Sequence, residues 1–232
     1  MIAIGYRRSF ARVIGFNGRL RGAAFIALLL TLAGCATTQT TGANRKPEAV
    51  APAARIDLDE STGFTITEDV RISATTRGDY ERALSLLERG DRQQGITLLR
   101  EIVDAAPDVS APRIDLGIAY HQDGNLEAAE AELEQALALN PDHPIVHNEL
   151  GIIYRKTGRF DAARESYEAA LDVYSGYHFA RRNLAVLCDL YLGDLECALQ
   201  NYEAYMLTVP GDDEATIWIA DLKSRMGRGG QP

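Results

Sequence analysis

The sequence predicts an all-α chain whose body is an α-solenoid of about four helical hairpins closed by a C-terminal capping helix. The first observation behind this is a period: Gly90, Gly124, Gly158 and Gly193 recur at steps of 34, 34 and 35 residues. Gly95, Ala129, Ala163 and Ala198 keep those steps, as do Leu99, Leu133, Tyr167 and Tyr202. Pro107, Pro141 and Pro210 fit the same frame, with Ser175 in the remaining place. A period in this range marks stacked supersecondary units, each too small to bury its apolar face alone. The second observation is that each period holds two amphipathic helical patterns separated by a turn residue. The third is a change of character before the periodic body, which sets residues 1–63 apart as leader and tether.

The chain has 232 residues, 46% of them hydrophobic and 25% charged, within the range of globular domains. Its 33 acidic residues outnumber 24 basic ones, for a net charge of -9. Residues 1–34 contain five arginines and no acid, so the remainder alone carries 19 basic against 33 acidic residues, or -14. A body this acidic is repelled by phosphate backbones, which excludes nucleic acid as the expected partner.

Within the leader, Ala23 to Ala33 is apolar apart from Thr31. A helix of that length spans about 16 Å, roughly half a bilayer core, so it suits a signal-peptide core better than a membrane span. Leu32-Ala33-Gly34-Cys35 closes the run and resembles the lipobox of bacterial lipoproteins. That resemblance implies a signal peptide over 1–34, lipid (palmitate among the acyl chains) on Cys35, and cleavage before it. Several acyl chains hold a protein firmly where one holds it only marginally. Ala36 stands where enteric-type sorting would need Asp for inner-membrane retention, which implies the outer membrane, facing the periplasm. Arg7-Arg8-Ser9-Phe10 has a faint likeness to a twin-arginine export signal but lies far from the apolar core; the general export route is favoured. Residues 35–63 read as the lipidated cysteine followed by a flexible, disordered linker rich in Ala, Thr and Pro.

The body divides by its period. Residues 64–109 comprise an N-terminal helix over Phe64–Thr75, entered through the capping-box pattern Thr65-x-x-Glu68, and the first hairpin. The second, third and fourth hairpins occupy 110–143, 144–177 and 178–211. In the third, Pro144–Thr157 carries Leu150, Gly151 and Tyr154 on one face, and Gly158 ends the helix. Phe160–Val173 follows with Ala163, Tyr167, Ala170 and Leu171. Gly151 and Ala163 are small where the two helices cross. Ala83, Gly117, Gly151 and Ala185 keep a step of 34 throughout, so one residue is inserted between Ala185 and Gly193. Residues 212–226 form the capping helix, with Ile217 and Ile219 expected against the stack and Trp218 bridging the seam; 227–232 is a tail.

Leu116, Gly117, Tyr120, Ala129 and Pro141, and again Leu150, Gly151, Tyr154 and Ala163, match the pattern W-x2-L-G-x2-Y…A-x3-F…P. The body thus resembles the tetratricopeptide repeat, with Arg113 and His147 in place of the tryptophan and Leu133 and Tyr167 in place of the phenylalanine. The resemblance covers about 76–211 and implies a right-handed superhelix whose first helices line a concave face. It places Ile118, Ile152 and Val186 as an apolar ladder along that groove, with His121, Arg155 and Asp189 beside them and Asn148 and Arg182 nearby. Some of these are equally compatible with shallow core. The Lys/Asn clamp that some members use for a C-terminal carboxylate is missing, because Ile118 and Ile152 stand where asparagine is expected. An apolar helix or extended peptide is the expected ligand, with the chain's own Phe64–Ile72 as a rival occupant.

Cys188 and Cys197 flank the turn at Gly193 at similar distances, so antiparallel helices bring them together. In an oxidising periplasm they are a disulfide pair; the plainer reading is two small buried thiols. His143 and His147 are four apart, but Pro144 starts the helix after His143, so no shared metal face is expected. No HExxH, phosphate loop, nucleophile elbow or carboxylate pair is found, and neither enzyme activity, cofactor nor small-molecule substrate is expected. The expected role is a lipid-anchored scaffold or adaptor that binds another envelope protein, similar in layout to the repeat-bearing lipoproteins of pilus assembly (type IV pilotins and the tight-adherence pilus factor). A scaffold for peptidoglycan enzymes or outer-membrane assembly, a structural spacer, and an enzyme with an unrecognised site are the alternatives.

Overall fold

A computed structural model describes residues 54–59, 63–68, 70 and 72–229. A hairpin of β1 (Ala54–Asp59) and β2 (Gly63–Glu68) precedes α1 (Ala74–Glu88), α2 (Arg92–Ala105), α3 (Ser110–Asp123) and α4 (Leu126–Leu139). Then come α5 (Pro144–Lys156), α6 (Phe160–Val173), α7 (His178–Leu187), a π-helical turn (Cys188–Leu192), α8 (Leu195–Thr208) and α9 (Asp213–Gly229). The pairs α1·α2, α3·α4, α5·α6 and α7·α8 pack most extensively, and each second helix also meets the first helix of the next unit. The body is therefore an all-α solenoid of four hairpins, with α9 covering the last.

Local chemistry explains why each pair folds back on itself. The corner glycines Gly90, Gly124, Gly158 and Gly193 all have positive φ, which side chains other than glycine's adopt at a cost. Two of the second helices, α4 and α8, begin on side-chain caps: Asn125 Oδ1 accepts from the Ala128 amide at 3.2 Å, and Asp194 Oδ1 from the Cys197 amide at 3.1 Å. The helices of a unit touch where the residue is smallest. A Cβ on Gly151 would stand 2.5 Å from Cε1 of the fully buried Tyr167.

Three apolar clusters form the core. Leu99, Ile102 and Leu116 join α2 to α3; Leu133, Val146 and Ile153 join α4 to α5; Tyr167, Leu184, Leu187, Tyr202 and Leu222 join α6 through α9. Each cluster spans a boundary between units, so no unit owns its core and stability is a property of the stack.

Three expectations are corrected. Phe64–Thr75 is not a helix: 63–68 is a strand, and helix begins only at Ala74, where Ser73 Oγ accepts from the Thr76 amide at 3.0 Å. Phe64, Thr65, Ile66 and Thr67 alternate apolar with β-branched polar residues, a period of two that outweighs the capping-box pattern. The tether expected over 35–63 ends in a strand, β1, paired antiparallel with β2 in the register Ile56↔Ile66 and Leu58↔Phe64. In α9, Ile217 is 66% exposed; Ala215, Trp218, Ile219 and Leu222 form the packed stripe, and Ile217 falls outside it. The signal peptide over 1–34, Cys35 and the last three residues of the tail lie outside the described residues.

The hairpin is seated on one edge of the solenoid. The Phe64 ring sits 5.5 Å from both Tyr174 and Tyr177 in the turn between units three and four. The Glu68 carboxylate accepts from the amide of Ser110, at 3.1 Å, and from its hydroxyl, in the turn between units one and two. Ile66, midway on the same strand face, is buried. Phe64, the first residue of the rival groove occupant, thus lies against a unit-to-unit turn, while Val70 and Ile72 pack on the first core cluster.

Candidate protein-binding site

First helices approach one another more closely than second helices do. Contacts join α3 to α5 and α5 to α7, with none comparable between α4 and α6 or α6 and α8. The stack therefore curves with its first helices inside. Ile118, Ile152 and Val186, one period apart, are all half-buried. They form a shallow apolar line across three units.

Most polar residues beside that line are engaged with the neighbouring unit. Tyr80 donates to Asp115, and Asn183 Nδ2 donates to Asn148 Oδ1 at 2.9 Å. Lys156 Nζ donates to His121 Nε2 at 2.7 Å, and the Nδ1–H of the same imidazole donates to Glu149 at 3.1 Å. Glu149 is only 3% exposed, so this chain anchors a buried carboxylate. Further along, Asp189 accepts from Arg225, and the Arg182 guanidinium lies 5.1 Å from the Trp218 ring centre and 3.8 Å from Glu214. These bonds tie each first helix to the next and stiffen the inner face.

Ile118, Ile152 and Val186 are brought into one line. His121, Arg155, Arg182 and Asp189 lie beside it with internal partners. Asn148 leaves the set: it is 2% exposed, covered by α7 and bonded to Asn183, so it cannot meet a ligand. Arg155 donates from Nε to the Tyr167 hydroxyl at 3.4 Å and from Nη1 to the Tyr191 hydroxyl at 3.3 Å. Lys156, Phe160, Leu190 and Tyr191 were not singled out from sequence. The inserted residue before Gly193 was the available signal, since it lifts Leu190 and Tyr191 out of the regular helix phase.

The Sγ atoms of Cys188 and Cys197 are bonded across the fourth corner, with Cα atoms 5.9 Å apart. Cys188, Asp194 and Cys197 are the group of metal-ligating spacing among the described residues, but paired sulfurs offer no thiolate to a metal. His143 is buried with Nδ1 unpartnered, and burial, with His147 nearby, pushes its pKa down to about 3. His147 instead donates from Nε2 to the Pro141 carbonyl at 2.8 Å.

A tetratricopeptide repeat family model matches residues 80–144, 114–178 and 148–204, overlapping windows that together span more than half of the chain. Among solved structures, the chain is similar to a crystal structure of MamA protein, with a TM-score of 0.61 and 20% identity over 67% of this chain and 85% of that one. It is similar to pilF of Pseudomonas aeruginosa, with a TM-score of 0.59 and 19% identity over 66% and 69%. It is also similar to TTC0263, a thermophilic TPR protein of Thermus thermophilus, with a TM-score of 0.54 and 25% identity over 63% and 80%. No curated protein matches the sequence. The body shares with these structures a right-handed superhelix of helical hairpins.

Proposed function

The chain belongs to the tetratricopeptide repeat family, and from that premise we propose that it is a non-enzymatic adaptor, fixed by lipid on Cys35 to the outer membrane, that holds another envelope protein against its concave face. The family fold is one of protein–protein scaffolds. The observation that carries the reading to this chain is the line Ile118, Ile152 and Val186, half-buried on first helices that neighbouring side chains brace. An apolar strip on a pre-organised surface binds without a large ordering cost. The anchor rests on sequence: the basic leader, the short apolar run and Leu32-Ala33-Gly34-Cys35 in order. The fold likeness to pilF, together with that layout, favours a partner in pilus or secretion assembly.

The test is site-specific photocrosslinking in intact cells from Ile152, compared with the exposed Glu165 on α6. A discrete adduct from Ile152 alone, lost when Ile118 and Val186 are changed to Asp, is expected; equal labelling from both positions would overturn the groove. Cys35→Ser tests the anchor independently: the wild-type chain partitions with membranes and carries acyl mass at Cys35, and the variant does neither.

A further inference from the structure

The fourth corner differs from the other three. Between Ala185 and Gly193 the chain has one residue more than between Gly151 and Gly158. The helix absorbs it as the π-helical turn Cys188–Leu192. Single π turns inside α-helices recur at functional sites because they redirect side chains without ending the helix. Here the consequence is exposure: Leu190 is 69% and Tyr191 44% exposed. Cys188, fully buried, ties the turn to α8 through its disulfide with Cys197, so the corner is held in this form.

The turn does not project into empty surroundings. The Tyr191 ring lies 5.1 Å from Phe160 at the start of α6, and the Arg155 guanidinium stands 5.5 Å from the centre of that ring. Arg155 and Lys156 end α5 side by side, yet neither has a carboxylate within ion-pair distance among the described residues. Arg155 is bonded to two tyrosine hydroxyls, and Lys156 to the His121 imidazole. Their neighbour Arg159, by contrast, is neutralised by Glu130, with one bond of 2.6 Å. In a chain carrying nine more acidic than basic residues, Arg155, with no carboxylate partner and set beside an exposed aliphatic and an aromatic, and Lys156, the next residue of the chain, form a surface complementary to a negative, partly apolar ligand.

We propose that this corner docks a partner peptide segment in which an acidic residue lies within about three residues of a large apolar one. The apolar side chain packs on Leu190, Tyr191 and Phe160, and the carboxylate pairs with Arg155 and Lys156. The proposal rests on the adaptor reading and extends the binding face from the concave line to the corner of unit four.

The experiment pans a random twelve-residue peptide display library on the full-length protein purified in detergent. Enriched peptides are expected to carry Asp or Glu within three positions of Leu, Ile, Phe or Tyr. A synthetic peptide of the enriched type is expected to bind at least tenfold more weakly to the Arg155→Ala, Lys156→Ala double variant and to Leu190→Ser. Deleting Leu190 restores the seven-residue spacing of the third corner. This deletion is expected to abolish binding while far-UV circular dichroism stays unchanged. Enrichment of neutral or basic peptides, no enrichment, or binding indifferent to these variants overturns the proposal. Binding lost in Ile118→Asp but kept in Leu190→Ser sinks the corner and leaves the groove standing. Corner-dependent binding without an adduct at Ile152 does the reverse.

Discussion

The corners of units three and four have the same task and solve it differently. In unit three the helix runs regularly from Gly151 to Lys156, and Thr157 Oγ1 closes it by donating to the carbonyls of Ile153 and Tyr154 at 2.9 and 3.2 Å. In unit four the helix widens, and the amides of both Gly193 and Asp194 donate to the Cys188 carbonyl. After the corner the two units coincide again: Ala163 and Ala198 are fully buried, and so are Tyr167 and Tyr202. The extra residue is thus confined to the surface. A solenoid can change what a corner presents while leaving the packing of the stack alone, because helix phase is reset within one turn.

The sharpest way to break this comparison is at the crossing beneath the corner. Gly151 leaves room for the flat face of Tyr167, whereas unit four has Ala185 at the same place, and Tyr202 packs 5.3 Å from Trp218. Gly151→Ala should cost about 3 kcal/mol, overpacking outweighing the gain in helix propensity. Ala185→Gly should cost only about 1 kcal/mol. Urea unfolding of both variants measures the difference; equal losses would mean that the two crossings are packed alike.

Next in size is the disulfide, which unit three lacks. It closes a loop of about ten residues, for which chain entropy gives a stabilisation of about 2–3 kcal/mol. The Cys188→Ser, Cys197→Ser double variant should lose that amount in urea. Reductant should lower the wild-type midpoint to match and leave the variant unmoved.

The contrast between corners also marks what sequence makes legible. The stack was readable because its evidence is repetitive: Gly90, Gly124, Gly158 and Gly193 each need the same backbone, and four coincident series reinforce each other. The insertion before Gly193 was readable as a broken step, but its form as a π turn was not, since one extra residue can equally lengthen a loop. Asn148 was misplaced for a related reason. Periodicity assigns a face, whereas the partner that buries Asn148 is Asn183, 35 residues away. The hairpin failed differently: Thr65-x-x-Glu68 satisfies a local rule for helix entry, and the β pairing that overrides it comes from a segment whose composition reads as tether.

The opposite edge, where unit meets unit, supplies a control for the corner comparison. There Val109, His143 and Tyr177 occupy equivalent places, each buried, and only the middle one is an imidazole, the side chain that titrates near neutrality when free in water. His143 is held neutral in the fold, with its pKa lowered to about 3 from a usual 6.5. A lowered histidine pKa means stability that is full above 6.5 and is lost as pH falls towards 3, because the unfolded chain takes up the proton first. Between pH 6.5 and 5 the loss should reach about 2 kcal/mol. His143→Val, which installs the residue of the preceding unit, should remove that slope while the corner variants keep it. A variant as pH-sensitive as wild type would place the titrating group elsewhere.

The smallest effect belongs to the hairpin, and it separates surface attachment from stack stability. Phe64 meets Tyr174 and Tyr177 edge-on, a geometry worth about 0.5–1.5 kcal/mol beyond area for each pair. Phe64→Ala should therefore release the strand from the edge without unfolding the solenoid, since the described bonds between successive first helices do not pass through the hairpin. Hydrogen exchange should show at least tenfold faster amide exchange over β1 and β2, with the amide of Ser110 following because its acceptor is Glu68. Exchange in α5 and α7, and at the π turn, should stay within twofold of wild type. If the π turn loosened as well, the two edges would be coupled through the first helices, and the independence of corner and stack inferred from units three and four would fail.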